Sequence, residues 1–242
     1  MISLFEKLFR KKDAAPPFCS AVVPAAGSSR RMGGENKLLA SLGGAPVIIR
    51  TLQALDQSDY ICEIILAVRE DDLLTMAEIC KAYHISKSVK LVVGGEDRVA
   101  SVMAALRECD ERASFAAVHD GARPLVTKEV IDAAIERAFS CSAAAPAVPV
   151  KDTIKVAEGR IVRNTPDRAT LFAVQTPQVF DIDLLRTALQ SAADNHAVIT
   201  DDCSAVERFG KEIYLTDGSY ENIKITTPED LILAEAIWNN RG

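Results

Sequence analysis

Apolar positions along this chain fall into two alternating patterns. Ala21–Ala25, Ile61–Val68, Val89–Val93, Phe115–His119 and Ala144–Pro149 are short, near-continuous apolar runs, the signature of strands whose sheet is covered on both faces. Between them, Val47–Leu55, Leu73–Tyr83, Val99–Arg107 and Val130–Phe139 carry apolar residues at helical spacing, as in the set Leu73, Leu74, Ala77, Cys80, Lys81 and Tyr83. Strand–helix alternation predicts an α/β fold of three layers, Rossmann-like, with a mostly parallel sheet between helices. In such folds ligands bind beyond the carboxyl ends of the strands, so the loops that follow strands are where chemistry is sought.

One stretch departs from the alternation. Val150–Val156 and Arg160–Thr165 flank Glu158-Gly159, a turn signal with no helix between the two runs, and predict a projecting β-hairpin arm over 150–172. Helical patterns resume at Ile182–Ala193 and Asp202–Phe209, and a last helix is expected from Pro228 to Trp238. Its first turn carries proline, Glu229 and Asp230, which suit the positive helix end. The expected organisation is a leader over 1–17 and a single domain over 18–242. The leader holds Phe5, Leu8 and Phe9 among Lys7, Arg10, Lys11 and Lys12. It is too interrupted for a signal peptide, and a frayed, flexible basic segment ended by Pro16-Pro17 is expected.

Composition narrows the function. Of 242 residues, 48% are hydrophobic and 26% charged, which excludes disorder over most of the length. The longest apolar run, Ala143–Val150, has eight residues, against roughly 20 for a membrane-spanning helix, so no membrane association is expected. The net charge of −6 argues against a broad nucleic-acid surface; cations that meet an anionic ligand must be gathered locally. The six cysteines lie 18 to 62 residues apart with no CxxC, so they are expected as buried thiols of a cytoplasmic protein.

The loops after the strands carry the candidate chemistry. The first runs Pro24-Ala25-Ala26-Gly27-Ser28-Ser29-Arg30-Arg31-Met32-Gly33-Gly34-Glu35-Asn36-Lys37. Small residues let backbone N–H groups approach a phosphate. A Walker A loop is excluded because Lys37 is preceded by Asn36 and followed by Leu38, and the dinucleotide fingerprint fails at Ser29. Gly94-Gly95-Glu96-Asp97-Arg98 follows the third strand, with Ser101 just beyond; paired glycines admit a flat group close to the backbone, and a plain turn is an equal reading. The fourth strand ends in His119-Asp120-Gly121-Ala122-Arg123-Pro124, where Asp120 is placed for a divalent cation such as Mg²⁺. His84, His119 and His196 lack metal-hydrolase spacing. Asp152-Thr153-Ile154-Lys155, Thr200-Asp201-Asp202 and Asn222-Ile223-Lys224-Ile225-Thr226 also stand out. Thr200-Asp201 alone reads as a helix cap, and Lys224 as a charge in an otherwise uncharged strand.

Together, VVPAAGSSRRM, LVVGGEDR, VHDGARPLV, VKDTIKV, AVQTPQVF, ITDDCSAVE and NIKITTPEDLILAEA resemble, in order, the 2-C-methyl-D-erythritol 4-phosphate cytidylyltransferases, from about Cys19 to Trp238. The resemblance implies transfer of CMP from CTP to a polyol phosphate, with Mg²⁺ and release of pyrophosphate. It implies a nucleotide site lined by Pro24, Ala25, Ala26, Gly27, Gly95, Glu96, Ser101, Asp120 and Gly121. Arg31 and Lys37 match transition-state-stabilising positions. Asp120, Arg123, Thr153, Arg168, Thr176, Thr200 and Lys224 match positions around the polyol phosphate, with Arg168 and Lys224 orienting the nucleophile and Asp120 as the metal ligand. A homodimer through the arm is implied too, which also fits the unpaired edges of a Val- and Ile-rich hairpin. Three departures stand out: Ser29 for glycine, Asn36 for a proline, which is expected to loosen the approach of Lys37, and Glu96 for aspartate. The rivals are a ribitol 5-phosphate cytidylyltransferase and a non-catalytic nucleotide-binding module. Retention of four cations argues against the second, because a phosphate monoester is already an anionic nucleophile near neutral pH and the barrier lies in joining two polyanions.

Overall fold

Strand β1 (Phe18–Pro24) lies inside the sheet, and its side chains serve two cores. Cys19, Ala21 and Val23 pack on one face and Val22 on the other, as the two-residue period of a strand requires. The computed structural model describes residues 18–27 and 36–241. After β1 come a small hairpin of β2 (Ser41–Leu42) and β3 (Ala45–Pro46), α1 (Val47–Asp56), β4 (Ile61–Val68), α2 (Leu73–Ala82), β5 (Ser88–Val93), α3 (Arg98–Arg107) and β6 (Ala113–Val118). Next are α4 (Lys128–Cys141), β7 (Ala143–Pro149), the arm strands β8 (Val156–Glu158) and β9 (Ile161–Asn164), then β10 (Phe172–Val174) and β11 (Gln178–Asp181). Helices α5 (Ile182–Asp194) and α6 (Asp202–Arg208), β12 (Tyr214–Asp217) and α7 (Pro228–Arg241) complete the chain.

The main sheet runs β10-β7-β11-β6-β1-β4-β5, with β12 also paired to β7. β1 is parallel to β4 and β6, β4 to β5, and β7 to β12, while β11 and β10 are antiparallel insertions. Helices α1 and α4 with Met76 of α2 cover one face, joined by Ala234 of α7. Val102, Ala105 and Leu106 of α3, Leu185 and Leu189 of α5 and Val206 of α6 cover the other. The chain moves outward from β1 to β4 and β5, then returns to place β6 on the opposite side of β1. That reversal opens a crevice at the carboxyl ends of β1 and β6, the place where such sheets take ligands.

The three-layer α/β expectation holds, with particular corrections. The arm strand expected over Val150–Val156 is confined to β8; Val150 N–H donates to the Leu171 carbonyl (3.1 Å), so this stretch still belongs to the base of the arm. Lys224 lies in irregular chain between β12 and α7 rather than in a strand. The strands β10, β11 and β12 are too short to show a period. Leu74, placed by spacing on the apolar face of its helix, is 79% exposed, because α2 buries only Met76. Cys19, Cys109 and Cys203 are buried thiols, but Cys80 and Cys141 are half-buried and Cys62 is exposed, since the second residue of β4 points out beyond the covering helices.

Candidate active site

The site is assembled from the chain that leaves β1, β5 and β6. Past the strand ends the backbone stays in register: Ala25 N–H donates to the Ala67 carbonyl and Gly94 N–H to the Val68 carbonyl, each at 2.7 Å. The paired glycines are required by this packing. A Cβ on Gly94 would meet Ala26 Cβ at 2.8 Å and Ser101 Oγ at 2.9 Å, and one on Gly95 would meet Ala100 Cβ at 2.3 Å. The Ser101 hydroxyl donates to the Asp97 carbonyl (2.8 Å) and accepts from Gly95 N–H (3.1 Å), while the Asp97 carboxylate caps α3 by accepting Ala100 N–H (2.7 Å). The first loop, the glycine loop and the start of α3 are thereby tied together. They enclose, with Lys37, Leu38, Asp120–Ala122 and Lys224, a cavity of about 420 Å³.

Asp120 is the electrostatic centre of that cavity. Its Oδ2 lies 2.8 Å from Lys224 Nζ and 3.6 Å from Arg123 Nε, and its Oδ1 lies 3.7 Å from Arg98 Nε. Burial alone would push the carboxyl up; Lys224, Arg98 and Arg123 outweigh it and bring it down to about 2. Arg98 also meets Asp202, with Nη1 2.7 Å from Oδ2. Asp202 is fully buried, which raises its carboxyl above the usual range even against the opposing Arg98 charge.

Beneath Asp120, His119 is fully buried, and that burial lowers its pKa to about 4, so the ring is neutral near pH 7. Its Nε2 lies 3.2 Å from the Arg123 carbonyl, an acceptor only, so Nε2 carries the proton. Nδ1 is then the acceptor for the Thr176 hydroxyl at 3.0 Å. Thr176 Oγ1 in turn accepts Asp120 N–H at 3.1 Å. One chain of bonds thus fixes the strand end that presents Asp120. Lys224 is held by its neighbours on both sides. Arg123 Nη1 donates to the Asn222 carbonyl (2.6 Å), Ile225 N–H donates to the Ala122 carbonyl (2.9 Å), and buried Asn222 Nδ2 donates to the Thr176 carbonyl (3.0 Å).

Of the residues expected from sequence, Pro24, Ala25, Ala26, Gly27, Lys37, Gly95, Glu96, Ser101, Asp120, Gly121 and Lys224 all line this cavity. Arg123 and Thr176 adjoin Asp120, but Thr176 is 4% exposed and its hydroxyl is engaged with His119 and Asp120. Thr153 and Arg168 are exposed on the arm, where Arg168 Nη1 donates to the Lys151 carbonyl (2.8 Å). Thr200 is exposed ahead of α6, and Asp201 caps that helix through Ser204 N–H (2.9 Å), as its capping signal predicts. Arg31 and Ser29 fall outside the described residues. Asn36 accepts Leu38 N–H at its side-chain oxygen (3.2 Å) and closes an Asx turn around the lysine. Arg98 and Asp202 were not singled out by sequence, although both lie inside quoted motifs; their partnership joins distant segments and leaves no local signal. Among the described residues no cluster of three or more His, Cys, Asp or Glu side chains could hold a metal ion. The ionised Asp120 fits a divalent cation only as a single carboxylate ligand, with nucleotide phosphates and water completing the shell, which is a usual way for Mg²⁺ to be held.

The model of the family 2-C-methyl-D-erythritol 4-phosphate cytidylyltransferase (IspD) matches residues 19–240. The chain belongs to this family. Two bacterial members of it are close in sequence. That of Bacillus velezensis is 48% identical over 218 residues, 89% of this chain and 94% of its own. That of Halalkalibacterium halodurans is 44% identical over 219 residues, 90% of this chain and 96% of its own. Among solved structures, the 4-diphosphocytidyl-2C-methyl-D-erythritol synthase of Anaerococcus prevotii superposes with a TM-score of 0.82 at 32% identity, covering 92% of this chain and 98% of that one. The Thermus thermophilus cytidylyltransferase gives 0.76 at 30% identity, covering 91% and 98%. The IspD match spans every segment that lines the cavity and the arm as well.

Proposed function

We propose that this protein is a cytoplasmic cytidylyltransferase of non-mevalonate isoprenoid precursor synthesis. It transfers CMP from CTP to 2-C-methyl-D-erythritol 4-phosphate, giving 4-diphosphocytidyl-2-C-methyl-D-erythritol and pyrophosphate. The observation that carries the reading is the convergence of Lys37, Lys224 and Asp120 on one cavity whose wall also holds the small residues Ala25, Ala26, Gly27 and Gly95, in a chain of this family. The slot formed by Ala25–Gly27 and Gly95 suits a flat pyrimidine, and Ser101 fixes its floor.

The attacking group is the polyol phosphate, already anionic at neutral pH, so no general base is needed. Its oxygen forms a bond to the α-phosphorus of CTP as the bond to the β-phosphate oxygen breaks and pyrophosphate departs. Lys37, with Arg31, stabilises the charge that grows on the phosphoryl oxygens. Lys224 and Arg168 hold the incoming phosphate, Arg123, Thr176 and Thr200 border its path, and Asp120 sets Lys224 in place. Mg²⁺ held beside Asp120 by the triphosphate would neutralise further charge on the same oxygens. Thr153 and Arg168 are exposed on the arm, so in this reading the arm pairs with a second copy and both residues serve the partner's cavity. Pyrophosphate release with CTP, Mg²⁺ and either methylerythritol phosphate or ribitol 5-phosphate tests the assignment. Turnover confined to the first acceptor is expected, and turnover confined to the second, or to neither, would reject it.

A further inference from the structure

Arg98, in the wall of the cavity, is paired with a carboxylate that the reaction does not call for. Asp202 is fully buried at the start of α6, and neither of its side-chain oxygens accepts a well-directed hydrogen bond among the described residues. Its one close charge partner there is Arg98, at 2.7 Å. A charge this deep costs stability unless it is paired, and a bare structural role would be met as well by an apolar side chain. Its neighbour Asp201 cannot take over, because it is committed to Ser204 N–H (2.9 Å) and to Gln178 Nε2 (2.7 Å).

Arg98 is shared unequally. A guanidinium beside a carboxylate ordinarily closes on it through two parallel N–H bonds. Asp120 is within reach, yet its approach to Arg98 is a single 3.7 Å contact, beyond hydrogen-bond distance. The other cations near Asp120, Lys224 and Arg123, both meet Oδ2. Oδ1 therefore has no cation in hydrogen-bond contact among the described residues, although it belongs to the central charge of the cavity.

We infer that Asp202 is a positioning residue that draws Arg98 away from Asp120 and so keeps Asp120 Oδ1 available to a divalent cation arriving with the nucleotide. This rests on the reading of the cavity as a CTP site. Removing the Asp202 charge lets Arg98 close on Asp120, and the two charges then satisfy each other instead of the ligand.

The test uses the full chain and binding of Mn²⁺ in the presence of CTP, followed by the paramagnetic effect of bound Mn²⁺ on water relaxation, so no turnover is needed. Asp202→Asn, nearly the same shape, is expected to bind Mn²⁺ about tenfold or more weakly, the scale of one close ion pair at intermediate dielectric. The double variant Arg98→Gln/Asp202→Asn, which removes the competing guanidinium as well, is expected to bind more tightly than Asp202→Asn alone. A purely structural role predicts the reverse, two losses that accumulate. Asp202→Glu keeps the charge and is expected to retain Mn²⁺ binding even where the melting temperature falls. Unchanged binding in Asp202→Asn would overturn the inference. So would a double variant no tighter than Asp202→Asn, or a folded Asp202→Glu that loses the cation. Failure of the unaltered protein to bind CTP with Mn²⁺ would overturn the CTP reading itself, whereas normal binding there with any of those three results removes only the role of Asp202.

Discussion

The cavity and the arm carry functional side chains in opposite ways. In the cavity three charged groups are fixed by other parts of the same chain: Lys224 by Asp120, Asp120 by His119 and Thr176, and Arg98 by Asp202. In the arm, all of β8 and β9 is exposed, with Ile161 at 62% and Val162 at 54%, and the Arg168 side chain donates to the backbone of its own arm. Charges held the first way are set within one fold. A site built the second way presents apolar edge strands that ask for a partner. The difference teaches that charge positions in the cavity should respond to single substitutions as local events, whereas arm positions should respond to association.

The largest expected effect sharpens the cavity half of that contrast. Lys37 lines the cavity within a turn closed by Asn36. If it meets the phosphoryl oxygens mainly as pyrophosphate leaves, Lys37→Ala should lower kcat by about 100- to 1000-fold and leave KM for CTP nearly unchanged. Lys37→Arg should recover part of the rate, since a planar fork does not reproduce a compact ammonium. Steady-state kinetics decides: a variant that keeps kcat and loses CTP affinity would make Lys37 a ground-state clamp.

Association is probed by mixing. Arg168→Ala should reduce kcat/KM for the polyol phosphate by about 10- to 100-fold, as loss of a charged contact does. If Arg168 acts across a dimer, equal amounts of Lys37→Ala and Arg168→Ala chains, allowed to exchange, form half mixed dimers, each with one intact site. About a quarter of the normal activity then returns. With the arm acting on its own chain, no mixed dimer has an intact site and nothing returns. Sedimentation across the assay concentrations supplies the independent check, and a fully active monomer would break the comparison outright.

How much of this could be read from the chain follows the same division. Buried parallel strands such as Ile61–Val68 announce themselves because both faces must be apolar, and observed β4 has those limits. The loops after them were legible because backbone approach demands small residues. The short strands β10–β12 were not, since strands of three or four residues take their conformation from pairing partners. Lys224 was legible as an anomalous charge but not in its setting, because its segment is held by bonds to Ala122, Arg123 and Thr176 from elsewhere in the chain. Arg98 and Asp202 escaped for the same reason: an ion pair between the first residues of two separate helices has no periodicity.

The smallest expected effect concerns His119, the support under the cavity, for which the arm has no counterpart. Its pKa is lowered by burial to about 4, from an ordinary 6.5. The native state therefore holds fewer protons on this ring than the unfolded chain does between those two values, and stability must fall as pH falls through that window. Asp120, brought down to about 2 from 3.8, acts in the same direction but only in stronger acid, so the two are separable. Between pH 6 and pH 5, His119 alone should remove about 1 kcal/mol. His119→Asn cannot protonate there, and its amide can still donate toward the Arg123 carbonyl. It should be less stable at pH 7 yet lose less between pH 6 and pH 5 than the unaltered protein. Urea unfolding at the two pH values measures both slopes. Equal slopes would mean that the buried ring does not carry this pH dependence, and that the rigidity of the cavity owes nothing to keeping His119 neutral.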